Sequence, residues 1–149
     1  MKLEDEIKQS KFKSEYQKLG INLVFTSNWL SREYEKHCKR FDITPEQFNI
    51  LRILRGQHPK PATVNLLIDR MLNKMSNASR LVEKLRKKGL ADRQINETDR
   101  RACDVLITKK GLDLLAELDK TEKEWNKFIS HLSEKEAETM NQLLDKMRK

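Results

Sequence analysis

Residues 73–108 read NKMSNASRLVEKLRKKGLADRQINETDRRACDVLIT, and the order of signals within them decides the fold. A basic amphipathic segment comes first, with Ala78, Leu81, Val82 and Leu85 three and four apart and Ser76, Asn77, Arg80, Lys84 and Lys87 falling on the other side. That spacing predicts a helix over Lys74–Lys88, N-capped by Asn73 and closed by Gly89. LADRQI and ACDVLIT then have the length and alternation of two strands, and NETDRR between them is a polar turn crowded with arginine. From Lys74 to Arg101 there are nine Lys or Arg against four acids, a net +5 in a chain whose total is +8. Most of the excess positive charge therefore lies on one helix and one hairpin, the footprint expected of a face that meets phosphates.

Upstream, Val64–Met71 (VNLLIDRM) reads as a short helix capped by Thr63, and Leu72-Asn73 as a tight turn into the basic helix, which makes a helix-turn-helix. Before it, Thr44-Pro45-Glu46-Gln47 is a capping box with proline in the first turn, so a helix over FNILRILRG is expected to run to about Arg55 and stop at Gly56. From about Ser10 to Lys39, Phe12, Tyr16, Leu19, Leu23, Leu30 and Tyr34 recur at helical intervals, with Val24, Phe25 and Trp29 widening the stripe. A long helix buried on more than one side is expected there. Downstream, Thr108 caps a helix carrying Leu115, Leu118, Trp125, Ile129 and Leu132, and Ser133 with Glu136 opens another carrying Ala137, Met140, Leu144 and Met147. Both ends are thus helical arms whose narrow apolar seams call for a partner helix.

Composition agrees with this picture. Of 149 residues 36% are charged and 6% aromatic, and four Gly and three Pro suit exposed helices better than a sandwich or barrel. MKLEDEIKQ lacks the apolar core of a signal peptide and no run approaches a membrane span, so a cytoplasmic protein with no membrane role is expected. Cys38 and Cys103 are far apart and outside any CxxC spacing, as free thiols in a reducing compartment would be. Neither a cofactor nor a metal is expected: His37 and Cys38 are adjacent on a helix and diverge by about 100°. There is no Gly-rich phosphate loop, HExxH, GxSxG or paired-carboxylate motif, and enzymatic activity is not expected.

The motif D-x-R-x-x-x-V-x-[LI]-T followed by Gly stands here as Asp99, Arg101, Val105, Ile107, Thr108 and Gly111. Together with SRLVEKLRKKGLADR, it makes the chain resemble the MarR family of bacterial winged-helix transcription regulators, over essentially its full length. The resemblance implies a mainly α fold with a small β-wing (α+β). In that fold residues 44–107 form a winged helix-turn-helix DNA-binding lobe, and residues 10–40 and 108–149 a helical dimerisation region. It implies a homodimeric repressor on a palindromic operator of double-stranded DNA, released by a small-molecule effector. Ser76, Asn77, Ser79, Arg80 and Lys84 would face the major groove. Arg100 and Arg101 on the wing would reach the minor groove, Asp99 orienting an arginine by a salt bridge. Tyr16, Phe25 and Trp29 are candidates for a pocket taking a small aromatic effector, against the plainer reading that aromatics at helical spacing are core.

Two departures bear on mechanism. Members of the family that sense peroxides keep a cysteine near the start of the first long helix, and KQSKFKSEYQ has none; the zinc-binding ligand set is not matched either. Two alternatives stay open: an oxidation-sensing regulator using Cys103, near Arg100 and Arg101, and a winged-helix adaptor whose basic face binds an acidic protein partner.

Overall fold

A computed structural model describes residues 2–95 and 103–149 and forms two compact units, residues 1–48 and 49–149. In the first, α1 (Leu3–Ile7) precedes α2 (Glu15–Lys39). Five residues with buried Leu3 as their one inward side chain gave no helical period, so α1 is an addition to the expected elements. It is tied to α2 by Glu4 and Lys18, 2.6 Å apart, and that contact holds the Glu4 carboxyl below its ordinary range and raises the Lys18 ammonium. The long helix starts at Glu15 instead of Ser10, because Ser14 accepts the Gln17 N–H at 3.2 Å and supplies the cap.

Burial on more than one side is not found for α2. Cys38 is its one fully buried residue, while Tyr16, Leu19 and Val24 are 87%, 48% and 63% exposed. The apolar stripe is covered in part: Leu23, Phe25, Trp29, Leu30 and Tyr34 are half-buried, and none of them is fully enclosed. At the other end of the unit Tyr34 meets Phe48 edge-on, ring centroids 5.9 Å apart.

The second unit holds the densest core. α3 (Pro45–Gln57) begins in the first unit, where Thr44 and Gln47 form the reciprocal cap (Gln47 N–H to Thr44 Oγ1 3.3 Å, Thr44 N–H to Gln47 Oε1 3.0 Å). Gly56 is still helical, so α3 runs past the expected stop. α4 (Val64–Arg70) is capped by Thr63, and α5 is Ala78–Lys87. β1 (Ala62–Thr63), β2 (Ala91–Ile95) and β3 (Cys103–Ile107) form an antiparallel sheet in the order β1-β3-β2. Two residues are too few to show alternation, which hid β1 in the sequence. Ile50, Leu51, Leu54, Leu67, Val82, Leu85, Val105 and Leu115 are completely or almost completely buried. α6 (Lys109–Lys120), a short α7 (Glu122–Asn126) and α8 (Glu134–Met147) complete the chain, the break at Thr121 replacing one expected continuous helix. The Ser133–Glu136 capping box on α8 is formed in both directions.

Candidate nucleic-acid interface

The basic helix α5 is shorter than expected and differently capped. Asn77, not Asn73, is the N-cap, its Oδ1 accepting the Arg80 N–H at 3.0 Å. Ala78, Val82 and Leu85 are buried, and at about 100° per residue Arg80, Lys84 and Lys87 project from the opposite side. Ser79 falls about 100° from Arg80, on a flank shared with Glu83 and Arg86. Ser76 precedes the helix, and the side-chain oxygen of Asn77 is engaged in the cap. The outward side of α5 therefore carries Arg80, Lys84 and Lys87, the three helical cations that the spacing put there.

The cations of this region divide by what they touch. Arg86 clasps Glu83 with two bonds (Nε to Oε2 3.0 Å, Nη2 to Oε1 2.9 Å), and the same contact holds the Glu83 carboxyl below its ordinary range. Lys74 turns back onto the last carbonyls of α4, donating to Ile68 O at 3.0 Å and also to Asp69 O. Arg93 on β2 directs Nε at Cys103 Sγ, 2.7 Å away. Arg80, Lys84 and Lys87 have no ion-pair partner among the described residues. Among the described residues of α5 they are the cations without an ion pair, and they share one side of the helix.

The connection from Met71 to Asn77 is longer than the two-residue turn expected. Leu72 N–H donates to Asn49 Oδ1 at 2.9 Å, Asn73 Oδ1 accepts the Met75 N–H at 3.1 Å, and Asn73 O accepts the Ser76 N–H at 3.3 Å. Asn73 thus shapes the turn with the side chain that the sequence offered as a helix cap.

At its other end α5 is closed by Gly89 in the left-handed region (φ 71°), with Leu90 N–H reaching Leu85 O at 3.0 Å and Gly89 N–H reaching Arg86 O at 2.9 Å. Residues entering α6 complete this closure. Thr108 Oγ1 donates to Gly89 O at 2.7 Å and accepts the Gly111 N–H at 3.1 Å, while Lys110 Nζ donates to Lys88 O at 2.8 Å. β2 and β3 pair from Ala91↔Ile107 to Ile95↔Cys103, and past Ala91 every β2 residue is exposed. Asp99, Arg100 and Arg101 lie outside the described residues.

A family model described as MarR family matches residues 41–102, which takes in the helix-turn-helix and the first wing strand. The HTH-type transcriptional regulator MhqR of Bacillus subtilis (strain 168) is 30% identical over 131 residues, 87% of this chain and 89% of the relative. The chain belongs to the MarR family. Among solved structures, the S. aureus MepR–DNA complex superposes with a TM-score of 0.76 at 25% identity, covering 92% of this chain and 97% of that one. A cysteine-to-serine mutant of E. coli MarR complexed with operator DNA gives a TM-score of 0.80 at 22% identity over 93% and 99% of the two chains, a likeness of fold. The mainly α fold with a small antiparallel wing sheet is that of this family's winged-helix proteins.

The remaining candidates of this MarR-family chain separate cleanly. Phe25 and Trp29, four apart on α2, share a face, but nine residues place Tyr16 about 180° around the helix from Phe25, and it is 87% exposed. Tyr16 therefore does not share the face of α2 that carries Phe25 and Trp29. Cys38 is buried, and burial followed by the charge of Glu46 pushes its thiol up to about 12, away from thiolate chemistry. Cys103 is partly exposed and points Sγ toward Gln94 O at 3.4 Å, beside Arg93. Among the described residues no helix is long and apolar enough to cross a membrane, and no cluster of three or more His, Cys, Asp or Glu side chains could hold a metal ion.

Proposed function

We propose that the protein is a sequence-specific DNA-binding repressor that sits in the cytoplasm as a homodimer on a palindromic operator and leaves it when a small-molecule effector binds. The observation that carries this reading is the outer side of α5, where Arg80, Lys84 and Lys87 stand unpaired among the described residues beyond the Asn77 cap. A helix N-terminus with short polar side chains and free cations suits insertion into a major groove. The S. aureus MepR relative, 25% identical, was solved bound to DNA. Ser76, Asn77, Ser79, Arg80 and Lys84 are assigned to the major groove, Arg100 and Arg101 to the neighbouring minor groove, and Asp99 to orienting an arginine. Residues 44–107 serve as the reading lobe, and residues 10–40 and 108–149 as the dimerisation region. The exposed apolar residues of α2 and of residues 129–147, Tyr16, Leu19 and Val24 with Ile129, Leu132 and Met140 among them, support a partner helix there. Tyr16, Phe25 and Trp29 are the aromatic residues offered to an effector, Tyr16 from a different face of α2.

Fluorescence anisotropy on a labelled duplex tests the reading. Binding is expected at low salt, weakening steeply as salt rises, with Lys84→Ala reducing the slope of log K against log salt by about 0.9 for each phosphate the lysine neutralises. No binding to duplex DNA at roughly 50 mM salt would refute it. A monomer in light scattering would remove the dimer.

A further inference from the structure

The turn before α5 holds a side chain that neither the core nor the charge pattern uses. Met75 is 93% exposed, although methionine is ordinarily an interior residue. Its backbone is held in place. Asn73 Oδ1 holds its N–H at 3.1 Å, and the flanking Lys74 ammonium is folded back onto α4, away from it. Two residues later Asn77 caps the helix, so Met75 stands at the entry of α5, next to Ser76.

We infer that Met75 reads the C5-methyl group of a thymine in the major groove, and so sets base preference at one position of each half-site. This rests on the DNA-binding reading above. The surroundings argue for a polyanion as occupant, because Arg80 and Lys84 on the following turns attract phosphates and disfavour a cationic partner. Within a major groove, the thymine methyl is the apolar feature; the other exposed edge groups are donors and acceptors that a thioether does not satisfy. An unbranched, polarisable chain with three rotatable bonds settles against such a methyl without demanding one geometry. Lys84 and Arg80, by contrast, fix position and contact hydrogen-bonding groups, and give no account of a preference for methyl.

The test begins with a duplex selected from a randomised pool by gel shift with the full chain, resynthesised with each thymine in turn replaced by deoxyuridine, which deletes the methyl alone. Wild type is expected to lose about fourfold in affinity at one position per half-site, the weight of one methyl taken out of water. Met75→Leu should keep that sensitivity, while Met75→Ser and Met75→Gln should bind thymine and deoxyuridine duplexes alike. Melting curves establish that the variants fold. If wild type is indifferent to every replacement, or the polar variants remain as sensitive as wild type, the inference fails while DNA binding stands. If no sequence is enriched at all, both fail.

Discussion

Substituting Gly111 with alanine isolates the junction between α5, the sheet and α6. Gly111 lies in the first turn of α6, outside the left-handed region, so its backbone alone would accept alanine. In an open helical position the change would stabilise by about 0.4–1 kcal/mol. Here a Cβ would lie 2.3 Å from Leu90 O and 2.7 Å from Ile107 Cγ1. Ordinary C···O contact begins at about 3.3 Å, so the start of α6 must withdraw by about 1 Å. The obstacle is a backbone carbonyl that accepts the Thr108 N–H at 3.2 Å, and it has no rotamer to escape into. Overpacking of this kind costs about 1–3 kcal/mol, and with an immovable neighbour the upper part of that range applies. After the propensity gain the net loss is about 2 kcal/mol, or roughly 4–8 °C in melting temperature for a chain of this size. Gly56→Ala is the control, since a Cβ there meets nothing within 4 Å, and it should melt at or slightly above wild type. Calorimetric melts of the three proteins decide it. A Gly111→Ala protein as stable as wild type would show that the close approach to Leu90 imposes no constraint.

Thr108→Val removes both the cap on Gly111 N–H and the donor to Gly89 O, and should lower stability by about 1–2 kcal/mol, read as an earlier urea midpoint at unchanged slope. In thiol titration with a disulfide reagent at pH 8, Cys103 should react promptly. Cys38 should react only after unfolding, because raising its thiol from 9.0 to about 12 leaves a thiolate fraction about a thousandfold lower. The same shift has a sign for stability: the folded state holds the Cys38 proton more tightly, so stability is unaffected below pH 9 and falls as pH rises from about 9 toward 12. Two equally fast thiols, or a stability that climbs across that alkaline range, would contradict the burial.

The parts of the fold that could be read from sequence were those where one chemical signal has one solution. Thr44 with Gln47 and Ser133 with Glu136 cap where their spacing says, and Gly89 ends α5 in the left-handed conformation no other residue adopts so readily. Sequence alone misplaces the start of α5: Asn73 is the right residue type for a cap and reads as one, but Asn77 is an equally good cap and only Met75 among the residues between them is apolar. Packing decided it: none of Lys74–Asn77 is buried, so no core contact holds those residues in a helix. Arg80 and Lys84 were legible as an outward face, whereas the engagement of Arg86 with Glu83 and of Lys74 with α4 depended on side-chain reach that a charge count does not resolve. That Tyr16 stands on another face of α2 from Phe25 and Trp29 follows from the angle that nine residues subtend on a helix.

The hydrogen bonds of the 71–77 connection also bear on the thermodynamics of recognition. Leu72, Met75 and Ser76 have their N–H groups satisfied within the unit, and Lys74 is fastened to α4. Fixing a backbone residue costs about 1–2 kcal/mol in entropy, and for these residues that ordering accompanies folding instead of encounter with a ligand. The approach to α5 is therefore preorganised, so differences in affinity among related duplexes should reside in dissociation rates more than in association rates.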